Sequence, residues 1–157
     1  MSESLQQQWR RTMLRYTLRF FALWCPSSER LLFGTGMLES GGLQYLRQIR
    51  GPALGVFQME PATLADLWKN YLAYHEEKAD LLERAAPVSC RVEDSICLLD
   101  MWYATVAARL QYLRFPEPLP AESDLPGLAR YWKTYWNTAA GKGTEQQFMD
   151  AVLQYEE

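Results

Sequence analysis

Gly34-Thr-Gly-Met-Leu-Glu39-Ser40-Gly41-Gly42, followed about a dozen residues later by Gly55-Val-Phe-Gln58-Met-Glu60-Pro61-Ala-Thr63, is the stretch on which the reading of this chain turns. The first half closes an apolar run, Leu31-Leu32-Phe33 through Met37-Leu38, that is hydrophobic on nearly every side of a helix and so belongs at the centre of the fold. It delivers Glu39 to its own end and breaks on two glycines. The second half starts a new helix: Pro61 and Thr63 suit a first turn, with Leu64, Leu67, Trp68, Tyr71 and Leu72 following and Asp66 near the positive end. Two short polar groups of residues facing each other across a loop are what a site for a neutral, hydroxyl-rich ligand needs.

Working outward, Leu5, Trp9, Met13, Tyr16, Phe20 and Trp24 recur at three- or four-residue intervals with Arg10, Arg11, Arg15 and Arg19 between them. This predicts one amphipathic helix over residues 1–26, packed on the domain by its apolar stripe, with the arginines in solvent and Pro26 as its stop. Ser27 or Ser28 then caps the central helix. Gly34 and Gly36 cost that helix stability relative to alanine, which suggests the close approach of another backbone. Residues 43–50 read equally as a short extended segment or a loop.

Beyond Pro87, a helix over 95–113 carries Ile96, Leu99, Trp102, Tyr103, Val106, Leu110 and Leu113 on a helical period. Pro116, Pro118 and Pro120 forbid its continuation and give a stiff crossover. A short helix over 128–136 stops near Asn137. Thr144-Glu-Gln-Gln147 has the form of a capping box and launches a last helix through Phe148, Val152 and Tyr155. The expected fold is mainly α: a single domain over residues 1–157 with at most a small β-hairpin or extended loop.

With 157 residues, 48% of them hydrophobic and 22% charged, the chain is long enough to bury a core of its own. A net charge of -3 does not call for a polyanionic partner, so nucleic acid is not expected. Three cysteines, Cys25, Cys90 and Cys97, make an odd count without C-x-x-C spacing and read as buried free thiols. The single histidine, His75, reads as part of the polar face of a helix. No metal site and no cofactor are expected. The N-terminal segment has neither an uninterrupted apolar run nor a small-residue cleavage site, so no secretory signal and no membrane span are expected.

Glu39 follows an apolar helix, and burial at such a boundary disfavours the ionised carboxylate and raises its pKa, as a general acid at neutral pH requires. The alternative is a helix-terminal glutamate bonded to the following loop. Glu39-Ser40 followed by Gly55-x-x-Gln58-x-x-Pro61-x-Thr63 resembles the signature of the soluble lytic transglycosylases and the related goose-type lysozymes. A third element, Trp136-Asn137-Thr-Ala-Ala-Gly141, is similar to that family's Tyr-Asn-Ala-Gly segment, with a tryptophan in place of the tyrosine and a later glycine. The resemblance covers about Leu31 to Gly143. Tyr-Trp136-Asn137-Thr, Gly141-Lys-Gly-Thr and Gln58-Met-Glu60-Pro61 also resemble a group of small bacteriophage proteins.

The resemblance implies a lysozyme-like domain that binds a peptidoglycan glycan strand and cleaves it between N-acetylmuramic acid and N-acetylglucosamine. Glu39 would be acid and then base, closing a 1,6-anhydro ring. Ser40 would orient Glu39 or the acetamido group, or simply cap the helix end. Gln58, Thr63 and Asn137 would meet the sugar, and Tyr135, Trp136 or Phe57 would form a flat apolar wall, each aromatic having core packing as its alternative. Glu60 stands where the family usually has an apolar residue; it reads as a charge at a helix N-terminus, with a second catalytic carboxylate as the alternative. A rival function is that of a phage virion or tail component that keeps the fold without turnover. The expected location is the host cytoplasm when made and the bacterial wall in action, free or carried on a virion.

Overall fold

The computed structural model describes residues 2–157 and is mainly helical. The helices are α1 (Leu5–Trp9), α2 (Arg15–Phe20), α3 (Pro26–Glu39), α4 (Pro61–Asn70), α5 (Glu76–Ala85), α6 (Met101–Leu113), α7 (Leu125–Trp132) and α8 (Glu145–Glu156). Extended pairing among the described residues is confined to isolated bridges, Arg47 to Leu54 and Leu54 to Met59, so residues 43–50 are a loop. No described helix is long and apolar enough to cross a membrane.

The N-terminal rod differs from its periodicity. A π-helical stretch, Arg10–Leu14, joins α1 to α2, and its wider turn shifts the buried face from Trp9 to Leu14 and then to Leu18 and Phe21. Tyr16 and Phe20, which the three-and-four spacing puts on the core face, are exposed. The rod ends at Phe20 and not at Trp24. Ala22 takes a left-handed φ of 56°, the Leu23 N–H bonds Leu18 O at 2.8 Å and the Ala22 N–H bonds Arg19 O at 3.1 Å, which is a Schellman ending built without glycine. Pro26 therefore begins α3 instead of stopping its predecessor. Cys25, not a serine, caps α3: its Sγ accepts the Ser28 N–H at 3.3 Å while Ser28 Oγ accepts the Cys25 N–H at 2.8 Å.

Nor are the arginines all in solvent. Glu29 is buried on α3 and accepts hydrogen bonds from Arg10 Nε, Arg15 Nε and Nη2, and Trp24 Nε1, all between 2.7 and 2.8 Å. Burial alone would raise its pKa, but these donors outweigh it and hold the carboxyl down at about 2. Arg30 bonds Glu156 at 2.8 and 3.0 Å, and Arg10 reaches the same carboxylate at 3.4 Å, so the network ties the N-terminal rod to α3 and the end of α8.

Helix α3 is the axis of one core. A Cβ on Gly34 would collide with the Phe148 ring and Val152 of α8, and one on Gly36 would press on Trp9 and Val56. The close approach expected at these glycines is made by side chains and not by a second backbone. Helix α6 is buried from Tyr103 to Tyr112: Ala104, Ala108 and Tyr112 face the α3 core, while Tyr103, Val106, Ala107 and Leu110 face a second core with α4 and α5.

The 95–113 helix is in fact two pieces. A 3₁₀ stretch, Ser95–Leu99, ends at Asp100, whose carboxylate accepts the Tyr103 N–H at 2.9 Å and so caps α6. Cys90 and Cys97 are joined by a disulfide across this segment, correcting their reading as free thiols; Cys25 alone is free. The pairing of two cysteines beside a third defeats an argument from parity. His75 stands at the N-cap of α5, exposed, with Nδ1 2.7 Å from Tyr71 O and its ring stacked on Tyr71, and is not on a helix face. The final capping box forms as expected, with Thr144 Oγ1 accepting the Gln147 N–H at 3.1 Å and Gln147 Oε1 accepting the Thr144 N–H at 2.9 Å.

Candidate functional site

Glu39 is the last residue of α3. Gly41, at a φ of 61°, turns the chain: the Gly42 N–H bonds Met37 O at 2.8 Å and the Gly41 N–H bonds Leu38 O at 3.4 Å, a second Schellman ending. The carboxyl is left at the rim of the core, half-buried, and among the described residues it makes no well-formed hydrogen bond. Its pKa is pushed up to about 7. Desolvation is the main cause, opposed by the nearby Trp132 indole. The helix C-terminus, with its partial negative charge, also disfavours the anion. The indole contact falls short of ordinary hydrogen-bond geometry, because Trp132 Nε1 is buried without a partner.

The Gly55–Gln58 turn forms the opposite bank. Leu54 and Met59 exchange backbone hydrogen bonds at 3.0 and 3.2 Å, closing a tight loop whose Val56 and Phe57 are driven into the core. Gly55 has a φ of 80° and rests against the Leu98 carbonyl, leaving no room for any side chain. Gln58, itself left-handed at a φ of 49°, donates from Nε2 to Gly55 O at 2.8 Å. Gln58 lines the cleft, but its Oε1 is buried and has no partner among the described residues.

The third bank is a π-helical stretch, Lys133–Asn137, that continues α7. Lys133 Nζ donates to Asn137 Oδ1 at 2.6 Å, Gly141 O at 2.9 Å and Gly143 O at 2.7 Å, holding the loop after the helix in a closed bend. With Oδ1 occupied, Asn137 keeps its Nδ2 amide for donation. Trp136 is braced by Tyr112, 5.2 Å between ring centroids, and by Phe57 at 6.4 Å. Tyr135 stacks on Phe115 at 4.4 Å.

Glu39, Gln58, Glu60, Thr63, Tyr135, Trp136 and Asn137 all line one cleft of about 640 Å³. An adjoining hollow of about 580 Å³ shares Thr63, Tyr135 and Trp136 with it and extends the groove toward Asp66 and Arg114. Ser40 is not among the lining residues. It is fully buried, its hydroxyl donating to Gly36 O at 2.7 Å and accepting the Leu43 N–H at 2.9 Å, so it caps the helix end and is not presented to the cleft. Phe57, too, is core and supports the wall from behind. Glu60 is exposed at the N-cap of α4 and makes no side-chain cap.

Tyr45, Gln48 and Gln111 also line the cleft and were not identified from sequence. The first two lie in the loop whose conformation the sequence leaves open, and Gln111 is, with Thr105 and Arg109, one of the polar residues on a largely apolar buried helix. No family model, curated protein or solved structure matches this chain. The site rests on its own geometry. It combines a carboxyl that holds its proton near neutrality, an Asn137 amide with its Nδ2 uncommitted, and a braced indole beside them.

Proposed function

We propose that this chain is a lysozyme-like domain that cleaves peptidoglycan glycan strands as a lytic transglycosylase. The observation that carries the reading is Glu39: a carboxyl with a pKa of about 7 in a cleft that also gathers Gln58, Thr63, Trp136 and Asn137. A carboxylic acid protonated near neutral pH can protonate the glycosidic oxygen as the C1–O bond breaks. The resulting carboxylate then accepts the proton of the muramic acid 6-hydroxyl, whose oxygen bonds C1 and closes the 1,6-anhydro ring.

The surrounding groups fit a sugar chain. Asn137 Nδ2 is a donor to a carbonyl or hydroxyl, and Trp136 a flat surface for the ring, with Gln58 beside them in the cleft wall. The groove's continuation past Thr63 suits a polymer better than a small compact substrate. Glu60, exposed at the head of α4, is charge at a helix N-terminus in this mechanism and not a second catalytic group.

The second reading, a virion or tail component, draws on a different observation. Tyr16 and Phe20 are exposed and cluster with Trp102, at 5.6 and 5.5 Å between ring centroids, and aromatic side chains of this kind are enriched in protein interfaces. The two readings separate in a turbidity assay on purified cell walls. The transglycosylase reading expects clearing by the parent protein and a loss of about 10²–10⁴-fold in Glu39→Gln. No clearing by well-folded parent protein moves the conclusion to the structural role.

A further inference from the structure

Trp132 is the last residue of α7 and its ring is among the most buried in the protein. Its position is fixed on three sides. The ring stacks on Phe148 at 5.5 Å with 28° between planes, and a side chain on Gly143 would press against its edge. The Lys133 ammonium holds the carbonyls of Gly141 and Gly143 in the bend that covers it. A buried indole N–H ordinarily finds an acceptor. This one has none among the described residues, yet the Glu39 carboxyl, which itself has no well-formed hydrogen bond there, is close enough to feel it.

We infer that Trp132 is a positioning residue whose indole N–H is the internal hydrogen-bond donor for the ionised form of Glu39. The inference rests on the reading of Glu39 as acid and then base. In the resting state the carboxyl carries its own proton and the indole contact stays loose. Once the proton has gone to the leaving oxygen, an anion is left in a half-dry site. A short move of the carboxylate toward Nε1 then forms a charge-assisted bond, stronger than a neutral one. The unpaired indole thus holds back a donor for the state that needs it.

The other charged or titratable groups around Glu39 come from every side of the cleft: Tyr45 in the 43–50 loop, Glu60 at the head of α4, Tyr112 on α6, and Tyr135 in the π-helical stretch. The Lys133 charge is committed to Asn137 and the two glycine carbonyls. A replacement that removes only the indole N–H leaves all of these in place.

The test replaces Trp132 by β-(3-benzothienyl)alanine, which has the shape of tryptophan and no N–H, alongside Trp132→Phe. The ionisation midpoint of Glu39 is followed by carboxyl carbon NMR, assigned with Glu39→Gln. Loss of a hydrogen bond to the charged form should move the midpoint up by about one to two pH units. An upward move with the isosteric analogue supports the inference. An unchanged midpoint with the analogue overturns it, and a shift confined to Trp132→Phe does the same by assigning the effect to shape. The readout does not depend on turnover: if the midpoint moves while the parent fails to cleave cell walls, the enzymatic reading falls and the Trp132–Glu39 pairing stands.

Discussion

Replacing Glu39 by glutamine should make the protein more stable above neutral pH, and by an amount that the burial of the carboxyl sets. In the folded chain its pKa is about 7, against 4.5 for an unperturbed glutamate. A raised acid binds more protons in the folded than in the unfolded state between those two values. Stability from this group is therefore fully present below about pH 4.5, falls as pH rises toward 7, and is flat above it. A shift of about 2.5 units corresponds to about 3 kcal/mol, an upper value because the carboxyl keeps some contact with solvent. Glutamine does not ionise and escapes this penalty, so the stability of Glu39→Gln relative to parent should rise by about 1–3 kcal/mol between pH 4.5 and pH 8. Urea unfolding of both proteins across this range measures it. A constant difference at every pH would refute the claim that Glu39 is held in its neutral form by desolvation.

Glu29 should behave in the opposite sense. Removing it in Glu29→Ala leaves Arg10 with its 3.4 Å contact to Glu156 and takes the partner from the partly exposed Arg15, and should cost about 2–3 kcal/mol; in the parent, because its pKa is lowered to about 2, its contribution is present above pH 4.5 and should be lost as acid unfolding proceeds from there toward pH 2. Gly55→Ala places a methyl group against the Leu98 carbonyl at a left-handed φ of 80°, so it should displace the Gln58 turn, lowering both melting temperature and wall clearing; unaltered clearing would show that the turn has no part in the site. Replacing Cys90 and Cys97 by serine opens a short loop and should cost about 2–3 kcal/mol, read as a lowered urea midpoint matching that of reduced parent protein.

What could be read from sequence was what local chemistry decides. Gly41 and Gly42 end α3, and the Thr144-to-Gln147 capping box starts α8, because each of these devices is complete within a few neighbouring residues. The convergence of Glu39, Gln58 and Thr63 on one cleft was legible through the resemblance that their motif carries, because the three stand on separate elements that local chemistry alone does not bring together. The π-helical turn at Arg10–Leu14 was hidden because its residues also satisfy an ordinary helical period, and only packing selects Leu14 over Met13 as the buried residue. The end of α2 was hidden because alanine, and not glycine, adopts the left-handed position at Ala22. Ser40 closes the helix end with Gly36 and Leu43, as one of its two sequence readings had it, whereas Trp132 and Lys133 took their roles from what the fold brings up to them, an isolated carboxyl and three acceptors in a bend. No pattern in the chain marks such residues in advance.

The measurement that bears most directly on the proposed function is the mass of the products released when the purified protein is incubated with isolated peptidoglycan. A single glutamate acting as acid and then base leaves muramic ends in the 1,6-anhydro form, lighter by one water than a hydrolysed end. The parent should release anhydro products, Glu39→Gln none, and Glu60→Gln the same products as the parent. Reducing-end products that disappear in Glu60→Gln would contradict the single-glutamate mechanism, assigning the chemistry to two carboxylates and a water molecule.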